Sequence, residues 1–207
     1  MSSSKPQIPP VPDRLKDTTN GRLYVVGRLL GKGGFARVHK FTPIIRRHEN
    51  GQIVESRQTD IAGKVVAKVL LTKAHQKEKM AQEIELHKKL NHAHVVQFYS
   101  HFSTDQFVII TLELCARRSL MELHKRRGRI LEPECRYYMG QTNDGVEYLH
   151  DRNIVHRDLK LGNVFLDDKL KCKIGDFGLA AQMDNNGTPR KTMCGTPNYL
   201  APEMQLF

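Results

Sequence analysis

The chain has 207 residues, a formal net charge of +11 and 39% hydrophobic residues, the balance of a soluble globular protein with one large domain or two small lobes. No apolar run reaches the roughly eighteen residues of a membrane span. The opening MSSSKPQIPPVPDRL has no apolar core, which excludes a secretory signal and predicts a disordered tail over residues 1–21. Cys115, Cys135, Cys172 and Cys194 are widely spaced with no Cys-x-x-Cys pair, so a reducing intracellular setting is the simpler reading than a disulfide framework or zinc site. The positive charge suits an acidic partner. Basic residues are not interleaved with stacking aromatics and tryptophan is absent, which argues against nucleic acid and for nucleotide phosphates or acidic peptides. Arg117-Arg118 and His124-Lys125-Arg126-Arg127-Gly128-Arg129 form a split basic run, read as a solvated helix face with nuclear import as the alternative. The histidines His87, His92, His94 and His101 match no ligand spacing and are assigned to surface or packing.

In chain order, Arg22 to Leu30 is strand-like and runs into Gly31-Lys32-Gly33-Gly34-Phe35-Ala36-Arg37-Val38. A glycine-rich turn between strands lets backbone amides approach phosphate without side chains in the way, and Phe35 at its tip is placed to cover the phosphates. Residues 42–60 are polar and turn-rich around Asn50-Gly51, a long connection with no evident chemistry. Ile61 to Leu71 is a strand by content, with Lys64 and Lys68 on one face; either lysine is able to reach phosphate. His75 to Leu90 reads as a helix with Met80, Ile84, His87 and Leu90 inward, and Glu83 available as a carboxylate partner for a buried lysine. Val95 to His101 and Phe107 to Leu112 are strands, followed by an extended Leu112-Glu113-Leu114-Cys115 whose backbone would meet an adenine ring. Ser119 to Arg127 and Pro133 to His150 are helices, the second with proline in its first turn.

Residues 154–178, IVHRDLKLGNVFLDDKLKCKIGDFG, carry the densest chemistry. Asp158, Lys160, Asn163 and Asp176 lie in short loops bounded by apolar strand-like runs. Two carboxylates and an amide converging from such loops suit Mg²⁺, which prefers oxygen ligands shared with phosphate. His156-Arg157-Asp158-Leu159-Lys160-x-x-Asn163, followed by Asp176-Phe177-Gly178, resembles the catalytic and metal-binding loops of a protein kinase.

From about Arg22 to Glu203 the wording is similar to the catalytic domain of polo-like serine/threonine kinases. The resemblance is carried by Gly31-Lys32-Gly33-Gly34-Phe35-Ala36, Ala62-Gly63-Lys64, Leu112-Glu113-Leu114-Cys115, Arg118-Ser119-Leu120, Glu122-Leu123-His124-Lys125-Arg126-Arg127 and Cys194-Gly195-Thr196-Pro197-Asn198-Tyr199. It favours Lys64 over Lys68, because Glu83 follows at the family's spacing of 19 residues. It implies an α+β bilobal fold: an antiparallel-sheet small lobe with one main helix over 22–112, a hinge over 113–117, and a mainly helical large lobe over 118–207. It further implies ATP held by Leu30, Gly31, Lys32, Gly33, Gly34, Phe35, Ala36, Val38, Ala62, Lys64, Glu83, Leu112, Glu113 and Cys115. Mg²⁺ would be held by Asn163 and Asp176, with catalysis by Asp158, Lys160 and Asn163. Thr196 would shape the substrate hydroxyl's site, and Thr192 would be phosphorylated by an upstream kinase, its phosphate pairing with Arg157. Protein Ser/Thr substrates, action in cytoplasm and nucleus, and a centrosome or spindle role in mitosis also follow from the resemblance, with no membrane association.

The family pattern is not met everywhere. The sequence ends four residues after Glu203, so the large lobe is expected to be incomplete, without the helices that normally follow and without a polo-box region. Thr142-Asn143-Asp144-Gly145 places polar residues and a glycine where the family is apolar, which lowers helix propensity. Residues 42–60 make a connection about ten residues longer than the family's, tolerable in a surface loop. The alternative to an active enzyme is a fragment that binds nucleotide or a partner without transferring phosphate. A basic nucleic-acid-binding protein is a third reading, resting on charge alone.

Overall fold

The computed structural model describes residues 7–49, 52–183, 195–196 and 199. Its contacts divide the chain into two compact units, one running through Glu78 with Phe98–Leu114, the other comprising Lys79–Gln97 and the chain from Cys115 onward. This is the bilobal α+β fold of a kinase, with a curled antiparallel sheet in the first unit and most of the helix in the second. No helix among the described residues is long and apolar enough to cross a membrane.

The first unit is built from strands β1 (Arg14–Lys16), β2 (Leu23–Lys32), β3 (Ala36–Glu49), β4 (Gln52–Arg57), β5 (Ile61–Ala67), β6 (Phe98–Ser103) and β7 (Phe107–Leu112). They form one sheet in the order β1-β2-β3-β5-β7-β6, with β4 pairing β3 beside this path. One sheet face carries an apolar cluster of Leu15, Tyr24, Phe41, Val65, Phe102 and Ile109. Its rings set the spacing: Tyr24 stacks on Phe102 at 5.7 Å between centroids. Gly63 is required by this core, since a Cβ there would lie 2.5 Å from the Phe41 ring.

Three sequence expectations change here. Residues 1–21 are predicted to be a disordered tail, yet Arg14–Lys16 pairs with β2 and Leu15 is buried in the core. Ile8 and Val11 also pack on that face, so apolar side chains spaced among the prolines anchor the segment. Residues 42–60 are not a loop. β3 continues through Glu49 and returns as β4, because β-branched residues in both halves (Thr42, Ile44 and Ile45; Ile53 and Val54) support a hairpin paired from Ile44 with Arg57 to Glu49 with Gln52. Lys64 and Lys68 do not share a strand face: β5 ends at Ala67, and Lys68–Leu70 is a 3-10 turn whose Lys68 N–H donates to Gln106 O at 2.8 Å.

In the second unit, the described part of helix α1 (Ala74–His87, its first residues in the first unit) turns Glu83, Ile84 and His87 inward, while Met80 stays partly exposed. Helix α2 (Leu120–Arg127) starts at Ser119, whose N–H and hydroxyl both donate to Glu122 Oε2, at 2.9 and 3.1 Å. It stops at Gly128, where φ is +75°. Helix α3 (Glu132–His150) is continuous through Thr142-Asn143-Asp144-Gly145. The buried Thr142 hydroxyl donates to Tyr138 O at 2.8 Å, and Gly145 lets the helix approach β10, as a Cβ there would lie 2.8 Å from Ile174 Cδ1 and 2.9 Å from His94 O. The polar residues Asn143 and Asp144 face solvent. The polar residues Asn143 and Asp144 therefore cost propensity but no core burial, and the glycine is one that packing requires. Short strands β8 (Ile154–Val155), β9 (Val164–Leu166), β10 (Cys172–Ile174) and β11 (Ala181–Gln182) pair as β9–β10 and β8–β11, and fix the loops between them.

Candidate active site

In the first unit, β2 and β3 are joined by the glycine-rich turn. Gly31 faces Val38 and Lys32 faces Arg37, and Gly33 N–H donates to Ala36 O at 2.9 Å. Phe35 at the tip is exposed. Leu30 lies in a register irregularity between Leu29 and Gly31. The β-ladder then aligns side chains: Val38 opposes Lys64, Lys64 opposes Ile110, and Ala62 opposes Leu112. Opposed residues point to the same side, so Val38, Ala62, Lys64 and Leu112 share one face, opposite the aromatic core. Glu113 follows β7 in the same unit, while the half-buried Cys115 belongs to the second.

In the second unit, the loop after β8 gathers Asp158, Lys160 and Asn163 with Thr196. Lys160 Nζ donates to Asp158 Oδ2 at 2.8 Å and to Thr196 Oγ1 at 2.6 Å. The Thr196 hydroxyl donates to Asp158 Oδ1 at 2.6 Å. Asn163 Nδ2 donates to the Asp158 carbonyl at 2.9 Å and to its Oδ2 at 3.0 Å. Burial pushes the Asp158 carboxyl up, but Lys160, Thr196 and Asn163 together outweigh it and hold it below the usual carboxylate range. Asp158 is therefore an ionised, oriented carboxylate at neutral pH. Because Asn163 spends its amide nitrogen on Asp158, its Oδ1 is the atom left to accept from or ligate another group.

The loop that carries Asp176 is braced by two histidines. His156 Nε2–H donates to Gly175 O at 3.0 Å, and its ring meets Phe177 edge-on at 5.1 Å. Phe177 in turn lies 4.5 Å from the His87 ring, while His87 Nε2–H donates to Val96 O at 2.7 Å. Burial lowers the His156 imidazole despite the raising effects of Gly175 O, Asp176 and Asp158, so it is a neutral packing residue. Asp176 takes a left-handed conformation, with φ of +63° and ψ of +75°, and Arg157 has φ of +64°. Such strain in non-glycine residues concentrates at functional sites. Glu83 is buried, and its Oε2 and Asp176 Oδ1 would each lie 3.4 Å from a Cβ at Gly178, so both carboxylates border that glycine. Arg157 Nε donates to Leu179 O at 2.7 Å, while its buried Nη1 has no partner among the described residues.

The expected residues thus fall into two sets: the glycine-rich turn with one sheet face in the first unit, and Asp158, Lys160, Asn163, Thr196, Asp176 and Glu83 in the second. Thr192 lies outside the described residues. His87, assigned by sequence to surface or packing, also contacts Phe177, next to Asp176; its place one helical turn after Glu83 was the available signal. Oxygen donors at Asn163 and Asp176 fit Mg²⁺, which takes few protein ligands and completes its shell with phosphate and water.

Residues 24–205 match the family model described as protein kinase domain. The chain is 49% identical over 204 residues to serine/threonine-protein kinase PLK1 of Xenopus laevis, covering 99% of this chain and 32% of that one. It is 51% identical over 195 residues to serine/threonine-protein kinase polo of Drosophila melanogaster, covering 94% and 32%. It is 52% identical over 204 residues to serine/threonine-protein kinase plk-2 of Caenorhabditis elegans, covering 98% and 30%. The chain spans about a third of the length of these relatives.

Proposed function

The chain belongs to the protein kinase family, in its polo-like branch, and from that premise we propose that it transfers the γ-phosphoryl group of ATP to serine or threonine hydroxyls of proteins that control cell division. The observation that carries the proposal is the bonded set of Asp158, Lys160, Thr196 and Asn163. An ionised Asp158, fixed by three donors, orients the substrate hydroxyl and accepts its proton as the oxygen attacks γ-phosphorus and ADP departs. Lys160 carries a positive charge beside Asp158, where it would meet the negative charge on the transferred group. Thr196 shapes the position of the incoming hydroxyl. Lys64 would hold the α- and β-phosphates with Glu83 as its carboxylate partner, and the glycine-rich turn would cover them with backbone amides. Val38, Ala62 and Leu112 would line the adenine, while Glu113 and Cys115 present backbone groups to it. Kinase domains use ATP with Mg²⁺; held by Asn163 and Asp176, the ion would neutralise charge on the β- and γ-phosphates.

Phosphorylation of Thr192 by an upstream kinase would add roughly −1.5 to −2 charges. The buried Nη1 of Arg157, without a partner among the described residues, supports a phosphate partner for that side chain. Action in cytoplasm and nucleus, with a centrosome or spindle role, belongs to the same proposal.

The test is Asp158→Asn in the full chain, with transfer to a protein substrate and nucleotide binding measured separately. Transfer should fall by about 10²- to 10⁴-fold, with ATP affinity unchanged within a factor of three or so. Full transfer by the variant would refute the role of Asp158. Nucleotide binding without any transfer by the unsubstituted chain would instead favour a binding module.

A further inference from the structure

The hairpin arm made by the second half of β3 and by β4 carries an open sheet edge. Among the described residues, β4 pairs with β3 alone, and all six of its side chains are exposed. Gln58 N–H donates to Pro43 O at 2.9 Å, continuing the register in which Ile45 faces Ser56 and Arg47 faces Val54. Those residues turn their backbone groups toward β3. By alternation, Ile53, Glu55 and Arg57 turn their N–H and C=O groups outward. Natural edges are usually blunted by charged side chains, lysine above all, or by proline, a bulge or extreme shortness, and the two charges of β4, Glu55 and Arg57, are of opposite sign. β4 has no lysine or proline and no register shift, and it exposes Ile53 at 59% and Val54 at 42%.

We infer that β4 pairs antiparallel with β4 of a second copy of this chain, about a two-fold axis at Ser56. Outward-turned residues must oppose outward-turned residues, which leaves few registers. An axis at Glu55 or at Arg57 opposes like charges across the seam. An axis at Val54 sets Ile53 against Glu55. An axis at Ser56 sets Glu55 against Arg57 of the other copy and Arg57 against its Glu55. Each opposed pair then exchanges two backbone hydrogen bonds. Glu55 Oε1 accepts from Arg46 at 2.8 Å, and Oε2 forms a looser ion pair with Arg14 at 3.6 Å, beyond hydrogen-bond distance, so Oε2 is the oxygen that the partner's Arg57 would meet. The contact is isologous and closes at two copies. Edge pairing alone buries less than the ~1,200 Å² of a stable interface, so the dimer is weak and concentration-dependent.

Sedimentation of the full chain over a wide concentration range, with cysteine crosslinking, tests this. At the axis the two Ser56 residues form a non-hydrogen-bonded pair with Cα atoms ~4.5 Å apart, within disulfide reach. Ser56→Cys should give, under mild oxidation, a dimer whose peptide map links position 56 to itself. Val54→Cys should not self-link. Arg57→Glu should weaken association at least tenfold, and combining it with Glu55→Arg should restore it. A chain monomeric at all concentrations, without the Ser56→Cys crosslink, overturns the inference. Dimerisation unaffected by Arg57→Glu, or preferential self-linking of Val54→Cys, overturns it equally. So does capture of an acidic extended peptide by β4 in a chain that stays monomeric.

Discussion

Replacing Gly145 by alanine opposes two effects of known sign. In an exposed helix interior the change would gain about 1 kcal/mol of helix propensity. Here the new Cβ would sit 2.8 Å from Ile174 Cδ1 and 2.9 Å from His94 O. Neither neighbour yields easily. Ile174 is fully buried, and His94 O accepts the Ile174 N–H at 2.8 Å, so moving that carbonyl breaks the link between the 92–96 loop and β10. Overpacking of this kind costs about 1–3 kcal/mol, and a shifted buried hydrogen bond adds about 1 kcal/mol. The expected net loss is about 1–3 kcal/mol, or roughly 2–12 °C in melting temperature at this chain length. Urea unfolding followed by far-UV circular dichroism, with Asn143→Ala as the exposed-helix control, measures it. The control should be neutral or slightly stabilising. An equal or higher midpoint for Gly145→Ala would refute the close-approach argument and return Gly145 to the status of a helix defect.

Lys64→Met should lower phosphoryl transfer by about 10²-fold or more, whereas Lys68→Met, at the 3-10 turn beyond β5, should leave it nearly unchanged; steady-state kinetics with both variants decides between the two lysines. Burial holds the imidazoles of His156 and His92 below their ordinary value of 6.5. The unfolded chain therefore takes up more protons on acidification, and their stabilising contribution, present above pH 6.5 or so, is lost as pH falls below it. Melting temperatures at pH 7.5, 6.5 and 5.5 should decline through this window, before Asp158 and Asp60, both held low, contribute to acid unfolding. The Cys172 thiol, raised to about 11 mainly by burial, should resist alkylation at pH 8 in the folded chain, while exposed Cys135 reacts; peptide mapping after brief iodoacetamide treatment distinguishes them.

The residue pattern of 154–178 was legible in the sequence because the protein kinase family fixes residue type and spacing together there. A carboxylate, lysine and amide within six positions, followed by Asp176-Phe177-Gly178, leave little room for another reading. Strands and helices with clear periodicity, such as β7 and α3, were legible for the same local reason. Features set by distant partners were not. Leu15 gives no local sign that it belongs in a core until β2 presents Tyr24 beside it. Residues 42–57 are polar and turn-rich and resemble a loop, yet pairing of Ile44–Glu49 with Gln52–Arg57 makes them a hairpin. Lys64 and Lys68 look equivalent at a strand's period of two, and the end of β5 at Ala67 separates them. Gly145 reads as a flaw within its helix and becomes a requirement once His94 and Ile174 are packed against it. Sequence alone determined which groups this protein has for its chemistry, since that is written in residue type and short spacing. The tertiary structure decided which of them face one another, because burial and close approach depend on residues that meet only after the chain has folded.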